Sequence, residues 1–153
     1  MKIRLLWVGK TQEEWVRRGI DEYAGRIRRY APLEMAEAKE EKGAAATAMR
    51  EKEGERLARL LPRNPRLILL NQRGEEMTSS AFAELLARYR DDGVTDLVFA
   101  IGGAYGFSES FLARADRTLA LSRMTFTHQM VRVFLLEQIY RAFTILNNEP
   151  YHH

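Results

Sequence analysis

The sequence of 153 residues contains no cysteine, few prolines and only a small excess of positive charge. The lack of cysteine excludes disulfides, thiolate metal ligands and cysteine nucleophiles, and it is compatible with the cytosol. Basic side chains exceed acidic ones by 24 to 21, a net charge of +3. This excess is too small for a protein that coats nucleic acid by charge alone, so we expect any partner to be recognised largely by shape.

The sequence also lacks a long uncharged apolar stretch. A membrane-spanning helix needs roughly 20 apolar residues, whereas the longest hydrophobic segment, residues 128–146, carries Arg132, Glu137 and Arg141. The first residues, MKIRLLWVGK, resemble a signal peptide, but Arg4 interrupts the apolar run and no small-residue cleavage site follows. We therefore expect a soluble cytoplasmic protein with no membrane partner.

Strand-like and helix-like segments alternate along the whole chain. Short runs rich in strand-forming residues predict strands at residues 3–8, 33–38, 66–71, 95–101 and 117–122. Helical spacing of apolar residues predicts helices at residues 15–30, 47–61, 82–89, from 108 and 128–146. No repeat or change in composition divides the chain. We expect one α/β domain over residues 1–153, with a mostly parallel sheet covered by helices on both faces.

Individual residues also predict where helices begin and end. Thr11 and Glu14 have the spacing of a capping box at the first helix. Ser108 is expected to open a short helix, and Gly93 to end another. Residues 39–46, KEEKGAAA, show no periodicity and predict a mobile loop.

The first candidate site is the glycine loop IGGAYGF, residues 101–107, which follows a buried strand. Glycines let the backbone approach a ligand, and ligands of an open α/β sheet lie at the carboxyl ends of its strands. The loop lacks the spacing of a dinucleotide fingerprint and the lysine of a P-loop. The alternative is a tight turn that needs glycine for its dihedral angles.

The second candidate is the segment LSRMTFTHQMVR, residues 121–132. The hydroxyls of Ser122, Thr125 and Thr127 alternate with apolar side chains, which suits a flat, partly polar ligand. The alternative is an ordinary connection from strand to helix, with Thr127 as the N-cap.

The third candidate is the set of charged side chains on the last helix. His128 and Arg132 stand four residues apart and share a face, as do Glu137 and Arg141. Charges on an apolar helix need partners because unpaired burial is costly. A purely structural ion pair between Glu137 and Arg141 is the alternative.

The two ends of the chain complete the candidates. Tyr151 and His152, in the tail NEPYHH, offer a stacking ring and a titratable imidazole, unless this end is disordered. Five arginines among the first thirty residues either suit phosphate groups or form an ordinary solvated helix face, namely Arg17, Arg18, Arg26, Arg28 and Arg29.

The order of these pieces resembles the ribosomal RNA large subunit methyltransferase H family, a minimal branch of the SPOUT (α/β-knot) methyltransferases. The matching parts are VGK near the start, EGE at Glu53 to Glu55, LILLNQRGEEMTS around Leu70 and IGGAYGF. They continue through LSRMTFTHQMVRVFLLEQIYRAF to the terminal NEPYH. The match runs the whole length of the chain and leaves no separate RNA-binding domain.

The resemblance implies an α/β domain whose C-terminal part is threaded into a trefoil knot, against the usual rule for chain connections. It implies that S-adenosylmethionine lies in this knot, with no metal. The matching cofactor-binding positions are Leu70, Gly102, Gly103, Leu121, Ser122, Arg123, Met124, Thr125, Phe126 and Thr127.

The resemblance also implies the reaction and the partners. The family methylates N3 of a pseudouridine in large-subunit ribosomal RNA, preferring the assembled ribosome. It works as a homodimer, with the last helix and the tail near the partner. A modest net charge agrees with recognition of the ribosome by shape. Because the short chain has no other RNA-binding surface, we expect a second copy to supply it.

On this interpretation the catalytic set is His128, Arg132, Glu137, Arg141, Tyr151 and His152. We expect His128 and Arg132 to shape the site, and Arg141 and the first-helix arginines to contact phosphate. Glu137 would orient Arg141 or Arg132. Tyr151 and His152 would hold the base, with His152 as a candidate proton acceptor.

Two departures from the family pattern and two other interpretations remain at this point. Ala104 and Tyr105 stand where the family often has proline and an acidic residue, and His153 where it usually has lysine or arginine. A weaker terminal phosphate contact would follow from His153. The other interpretations are a non-catalytic ribosome-binding module of the same fold and a monomeric flavodoxin-like nucleotide binder.

Overall fold

Ten elements alternate along residues 1–153, all of which the computed structural model describes. The strands are β1 (Lys2–Val8), β2 (Leu33–Ala38), β3 (Arg66–Glu76), β4 (Asp96–Ile101) and β5 (Arg117–Ala120). The helices are α1 (Glu14–Ile27), α2 (Ala46–Leu60), α3 (Ser79–Asp91), α4 (Glu109–Leu112) and α5 (His128–Leu146). Every predicted strand and helix is therefore confirmed as an element, although some of the bounds differ.

The five strands form one sheet in the order β2-β1-β4-β3-β5. All neighbouring strands run parallel, so the carboxyl ends of all five lie at the same edge. A flavodoxin-like sheet has the order 2-1-3-4-5. The exchange of β3 and β4 contradicts the flavodoxin-like interpretation, which the alternation of elements alone left open.

Helices cover both faces of the sheet, as predicted. Alternate side chains of β1, such as Ile3 and Leu5, join the larger core beneath α1, α3 and α5. Leu6 and Val8, on the opposite face, join a smaller core closed by α2 and α4. This two-sided burial explains why the strands are apolar runs rather than alternating patterns. None of the helices is both long and apolar enough to span a membrane.

β3 extends five residues beyond the predicted strand. Leu70 pairs with Leu119 of β5, and after a break the chain returns so that Glu75 pairs with the same residue. The segment from Asn71 to Glu76 is polar and is held at the sheet by backbone pairing and by polar side-chain contacts such as Glu75 with Arg117, so a hydrophobic pattern does not reveal it. Strand order and register do not test the trefoil knot, which stays a prediction.

The capping box predicted for the first helix is wrong. α1 begins at Glu14 after Glu13, and no side chain caps it. The Thr11 hydroxyl instead accepts a hydrogen bond from Arg132. The caps predicted elsewhere are confirmed: Ser108 caps α4 and Thr127 caps α5. Gly93, with φ of 78°, follows the end of α3.

Candidate active site

The carboxyl ends of β3, β4 and β5 border a cavity of about 490 Å³. This is the edge where α/β sheets bind ligands. The glycine loop after β4 forms one wall, and residues 121–127 after β5 form another. Nine of the ten predicted cofactor residues line the cavity: Leu70, Gly102, Gly103, Leu121, Ser122, Met124, Thr125, Phe126 and Thr127.

Arg123 is the predicted cofactor residue whose side chain lies outside the cavity. Its guanidinium Nε donates to a carboxylate oxygen of Glu76 at 2.8 Å, and the side chain is 89% exposed. Its neighbours Ser122 and Met124 both line the cavity. In this structure the Arg123 side chain pairs with Glu76 and does not line the cavity, and its contact with a cofactor stays a prediction.

The carboxyl end of β3 supplies two cavity residues that the sequence analysis missed, Asn71 and Gln72. The Gln72 amide donates to the hydroxyl of Thr125, which joins this end of β3 to the segment after β5. Both residues stand at the carboxyl end of a predicted buried strand, where ligands of α/β sheets lie. Their position directly after a buried strand could therefore have identified them as candidate site residues.

The glycine loop is both a tight turn and a cavity wall. Gly106 has φ of 81°, and its N–H donates to the carbonyl of Gly103 at 3.0 Å. A Cβ on Gly102 would lie 3.1 Å from the carbonyl carbon of Gly106. A Cβ on Gly103 would lie 3.1 Å from Oε1 of Glu53 and 3.3 Å from Cγ1 of Val8. The loop is therefore a tight turn, as the alternative predicted, and it also lines the cavity, whereas ligand binding by the loop stays a prediction.

His128 and Arg132 lie one turn apart at the start of α5 but occupy different surroundings. His128 lines the cavity, and its pKa is lowered by burial and by the nearby Arg132 cation. Arg132 is fully buried. It donates to the Thr11 hydroxyl at 2.9 Å and to the Val8 carbonyl at 2.8 Å. Arg132 therefore connects α5 to the end of β1 and does not line the cavity.

The Arg132 guanidinium also stacks over Trp7, with its central carbon 4.9 Å from the ring centroid. Burial lowers the pKa of Arg132 to about 10. A cation placed this deeply depends on its two oxygen acceptors and on the ring, because unpaired burial of charge is costly.

The tail packs on α5 through a cluster of contacts around Glu137, which contradicts the alternative of a disordered end. Oε1 of Glu137 accepts from Nε and Nη2 of Arg141 at 3.0 and 2.5 Å and from the Tyr151 hydroxyl at 3.0 Å. Arg141 also lies 3.2 Å from Nδ1 of His152 and stacks on the Tyr151 ring. The predicted pair of Glu137 and Arg141 is therefore present.

The tail cluster sets the protonation states of its members. Burial, reinforced by hydrogen bonds to Tyr23 and Glu137, raises the pKa of Tyr151. The hydrogen bond to Glu137 raises the pKa of Arg141. Tyr151 therefore remains a neutral phenol, and Arg141 a cation, at physiological pH.

The six predicted catalytic residues do not lie together in one chain. Of the six, only His128 lines the main cavity. Glu137 lines a smaller cavity of about 260 Å³ whose lining shares four residues with the main one, Leu119, Leu121, Ser122 and Phe126. The tail residues Tyr151 and His152 contact Glu137 and Arg141, respectively, and line neither cavity.

Comparisons with known proteins identify the family of this chain. The family model described as "Predicted SPOUT methyltransferase" matches residues 1–152. The chain belongs to the SPOUT methyltransferase family and is a methyltransferase, which confirms the family inferred from its motifs.

Particular relatives match the whole chain. The protein named ribosomal RNA large subunit methyltransferase H from Geotalea uraniireducens is 76% identical over 153 residues, covering 100% of both chains. The protein of the same name from Geobacter sulfurreducens is 72% identical with the same coverage. A solved structure of a probable methylase family protein from Haemophilus influenzae has a TM-score of 0.55 at 11% identity, covering 99% of this chain and 70% of that one. That likeness supports the fold alone.

Proposed function

We propose that this chain transfers a methyl group from S-adenosylmethionine to N3 of a pseudouridine in large-subunit ribosomal RNA, acting on the assembled ribosome. The observation that carries the proposal is the full-length identity of 76% and 72% to two proteins named ribosomal RNA large subunit methyltransferase H. The choice of N3, of pseudouridine and of the assembled ribosome rests on the family resemblance of the motifs.

The main cavity fits this cofactor in shape and chemistry. Apolar side chains, among them Leu119, Leu121 and Val131, form walls for a flat ring. Ser122 and Thr125 add hydroxyls, and the missing Cβ atoms of the glycine loop leave its backbone open to close approach. When bound, the sulfonium supplies an electrophilic methyl group.

The protein's part of the reaction is positioning and removal of one proton. The depressed pKa of His128 keeps its imidazole neutral at pH 7, so the cavity wall adds no cation beside a positive cofactor. Tyr151, kept as a phenol, and His152 would hold the target base, with His152 as the candidate proton acceptor. Glu137 orients Arg141, which would contact phosphate.

We further propose that the working form is a homodimer. In one chain Tyr151 and His152 lie outside the cavity, so residues assigned to the base and residues assigned to the cofactor are separated. A symmetric pair can bring the tail of one copy to the cavity of the other. Half-buried apolar side chains on α5, such as Met130 and Phe134, offer a surface for such contact. A cytoplasmic location follows from the proposed ribosomal substrate.

Methyl transfer from labelled cofactor tests the proposed reaction. Whole ribosomes, separated subunits and naked ribosomal RNA are incubated side by side with the protein and methyl-labelled S-adenosylmethionine. We expect label in large-subunit RNA, with most in whole ribosomes. Cofactor binding without any label on RNA would favour the non-catalytic ribosome-binding module instead.

A further inference from the structure

Glu53 of α2 is a buried carboxylate directly behind the glycine loop. It is 5% exposed, and its Oε1 lies 3.1 Å from where a Cβ would stand on Gly103. Gly103 lines the main cavity, so the carboxylate lies directly behind this part of the cavity wall. The reaction described above leaves Glu53 without a role.

The surroundings of Glu53 do not neutralise it. Oε2 accepts the backbone N–H of Glu41 at 3.1 Å, while Glu40 and Glu41 add further negative charge nearby. The nearby cation, Arg56, donates to the carboxylate of Glu41 and to the carbonyl of Lys39 instead. Burial, together with the charges of Glu40 and Glu41, raises the pKa of Glu53. Glu53 forms no ion pair, since Arg56 pairs with Glu41, so the protein supplies no direct counter-charge to this carboxylate.

We propose that Glu53 is a positioning residue that gives the cavity its preference for the positively charged sulfonium donor over the neutral thioether product. The inference rests on the proposed cofactor, whose two forms differ by one methyl group and one positive charge. A buried charge attracts an ion more strongly than an exposed one, because water screens it less. Loss of that attraction after methyl transfer favours release of the product.

A merely structural role would not require a charge at this position. An uncompensated buried carboxylate costs free energy, and an amide of the same size could accept the Glu41 N–H equally well. The cofactor's sulfonium would supply the missing positive charge on binding. Charge and shape can therefore be separated by experiment.

Calorimetric titration with S-adenosylmethionine and S-adenosylhomocysteine makes that separation. Glu53→Gln is expected to weaken binding of the sulfonium form about tenfold, as for two charges roughly 10 Å apart at an effective dielectric constant of about 20, and to leave the thioether within about twofold. Glu53→Asp, which keeps the charge, should keep the preference. Glu55→Gln removes an exposed carboxylate two residues away and should change neither constant.

Equal weakening of both ligands by Glu53→Gln, or no weakening of either, would overturn the proposal. If wild-type protein binds neither ligand, the proposed function itself fails, which is a distinct result. If Glu53→Gln does not fold, the ratio of the dissociation constants of S-adenosylmethionine and S-adenosylhomocysteine is measured against pH in His128→Gln protein. This variant lacks His128, the other titrating side chain that lines the cavity. The preference should then decline as acid protonates Glu53, Glu40 and Glu41, and a ratio constant with pH would contradict the proposal.

Discussion

At the residue scale, the wall at Gly103 has no room for a side chain. Val8 and Glu53 already press on the position where a Cβ would stand. A branched side chain there must displace one of them or enter the cavity. Tyr151, in contrast, lies in the tail cluster outside the cavity of its own chain.

Gly103→Val is therefore expected to abolish binding of S-adenosylmethionine, whereas Tyr151→Ala spares binding and loses turnover. Calorimetric titration and methyl transfer to ribosomes check the two properties separately. Circular dichroism confirms that both variants fold. Equal loss of cofactor binding in both variants would refute this division of roles.

The second prediction at this scale concerns His128 and pH. Burial lowers the pKa of His128 in the folded protein. As the pH falls to about 6.5, His128 therefore becomes protonated in the unfolded chain while it stays neutral in the folded protein. The contribution of His128 to the free energy of unfolding therefore falls as the pH drops through 6.5. Urea unfolding at pH 7.5 and 5.5 should show a larger loss in wild type than in His128→Gln. Identical losses would show that His128 is not desolvated in the fold.

The contact partners of individual side chains could not be predicted from the sequence. The spacing of Thr11 and Glu14 suggested a cap, but the Thr11 hydroxyl is taken by Arg132, 121 positions away. Arg132 shares a helical face with His128, yet it is buried against Val8 rather than facing the cavity. Arg123 sits in a correctly predicted segment, and only its contact with Glu76 turns it outward. Such long-range contacts leave no periodic signal in the sequence.

At the scale of elements, α2 is pressed against the loop that leads into α4. A Cβ on Gly54 would lie 2.5 Å from the hydroxyl of Ser108, which caps α4. Glu53, the residue before, meets Gly103 at the other end of the same loop. One turn of α2 therefore holds both ends of the glycine loop.

Gly54→Ala should lower stability, although alanine normally stabilises a helix interior by about 0.5–1 kcal/mol. The overpacking against Ser108 is expected to cost about 1–3 kcal/mol, more than that gain. Gly25→Ala in α1, where nothing lies within 4 Å of the added methyl, is the matched control and should raise stability. Thermal unfolding compares the two, and an increase of Tm in both would show that α2 is not closely packed here.

The elements themselves were largely predictable because the sheet is buried on both faces. Strands such as Leu67–Leu70 and Leu97–Ile101 are continuous apolar runs between turn residues, and every helix except α4 carries an apolar stripe. The second half of β3 was missed because Glu75 and Glu76 pair with β5 through their backbones. The glycine loop and the segment after β5 were found from their residue types, and the family resemblance added Leu70.

At the scale of the whole molecule, the tail cluster of one 17.7-kDa chain does not reach the main cavity of the same chain. If a dimer joins them, each complete site uses the cavity of one copy and the tail of the other. Inactive Gly103→Val and Tyr151→Ala chains should then complement each other when mixed, because one site in the mixed dimer keeps both intact parts.

Random exchange makes half of the dimers mixed, each with one intact site, so activity should recover to about a quarter of wild type. The check is methyl transfer after the two variants are co-refolded, with each variant refolded alone as the control. If the mixture sediments as a dimer but recovers no activity, the cavity and the tail of each site must come from the same chain.

The central claim is that this chain methylates large-subunit ribosomal RNA, and nucleoside mass spectrometry of the reacted RNA tests it most directly. The protein is incubated with S-adenosylmethionine and assembled ribosomes that lack the modification. The account predicts one N3-methylated pseudouridine per ribosome with wild type and none with Gly103→Val. No new methylated nucleoside despite cofactor binding, or methylation of a different nucleoside, would contradict it.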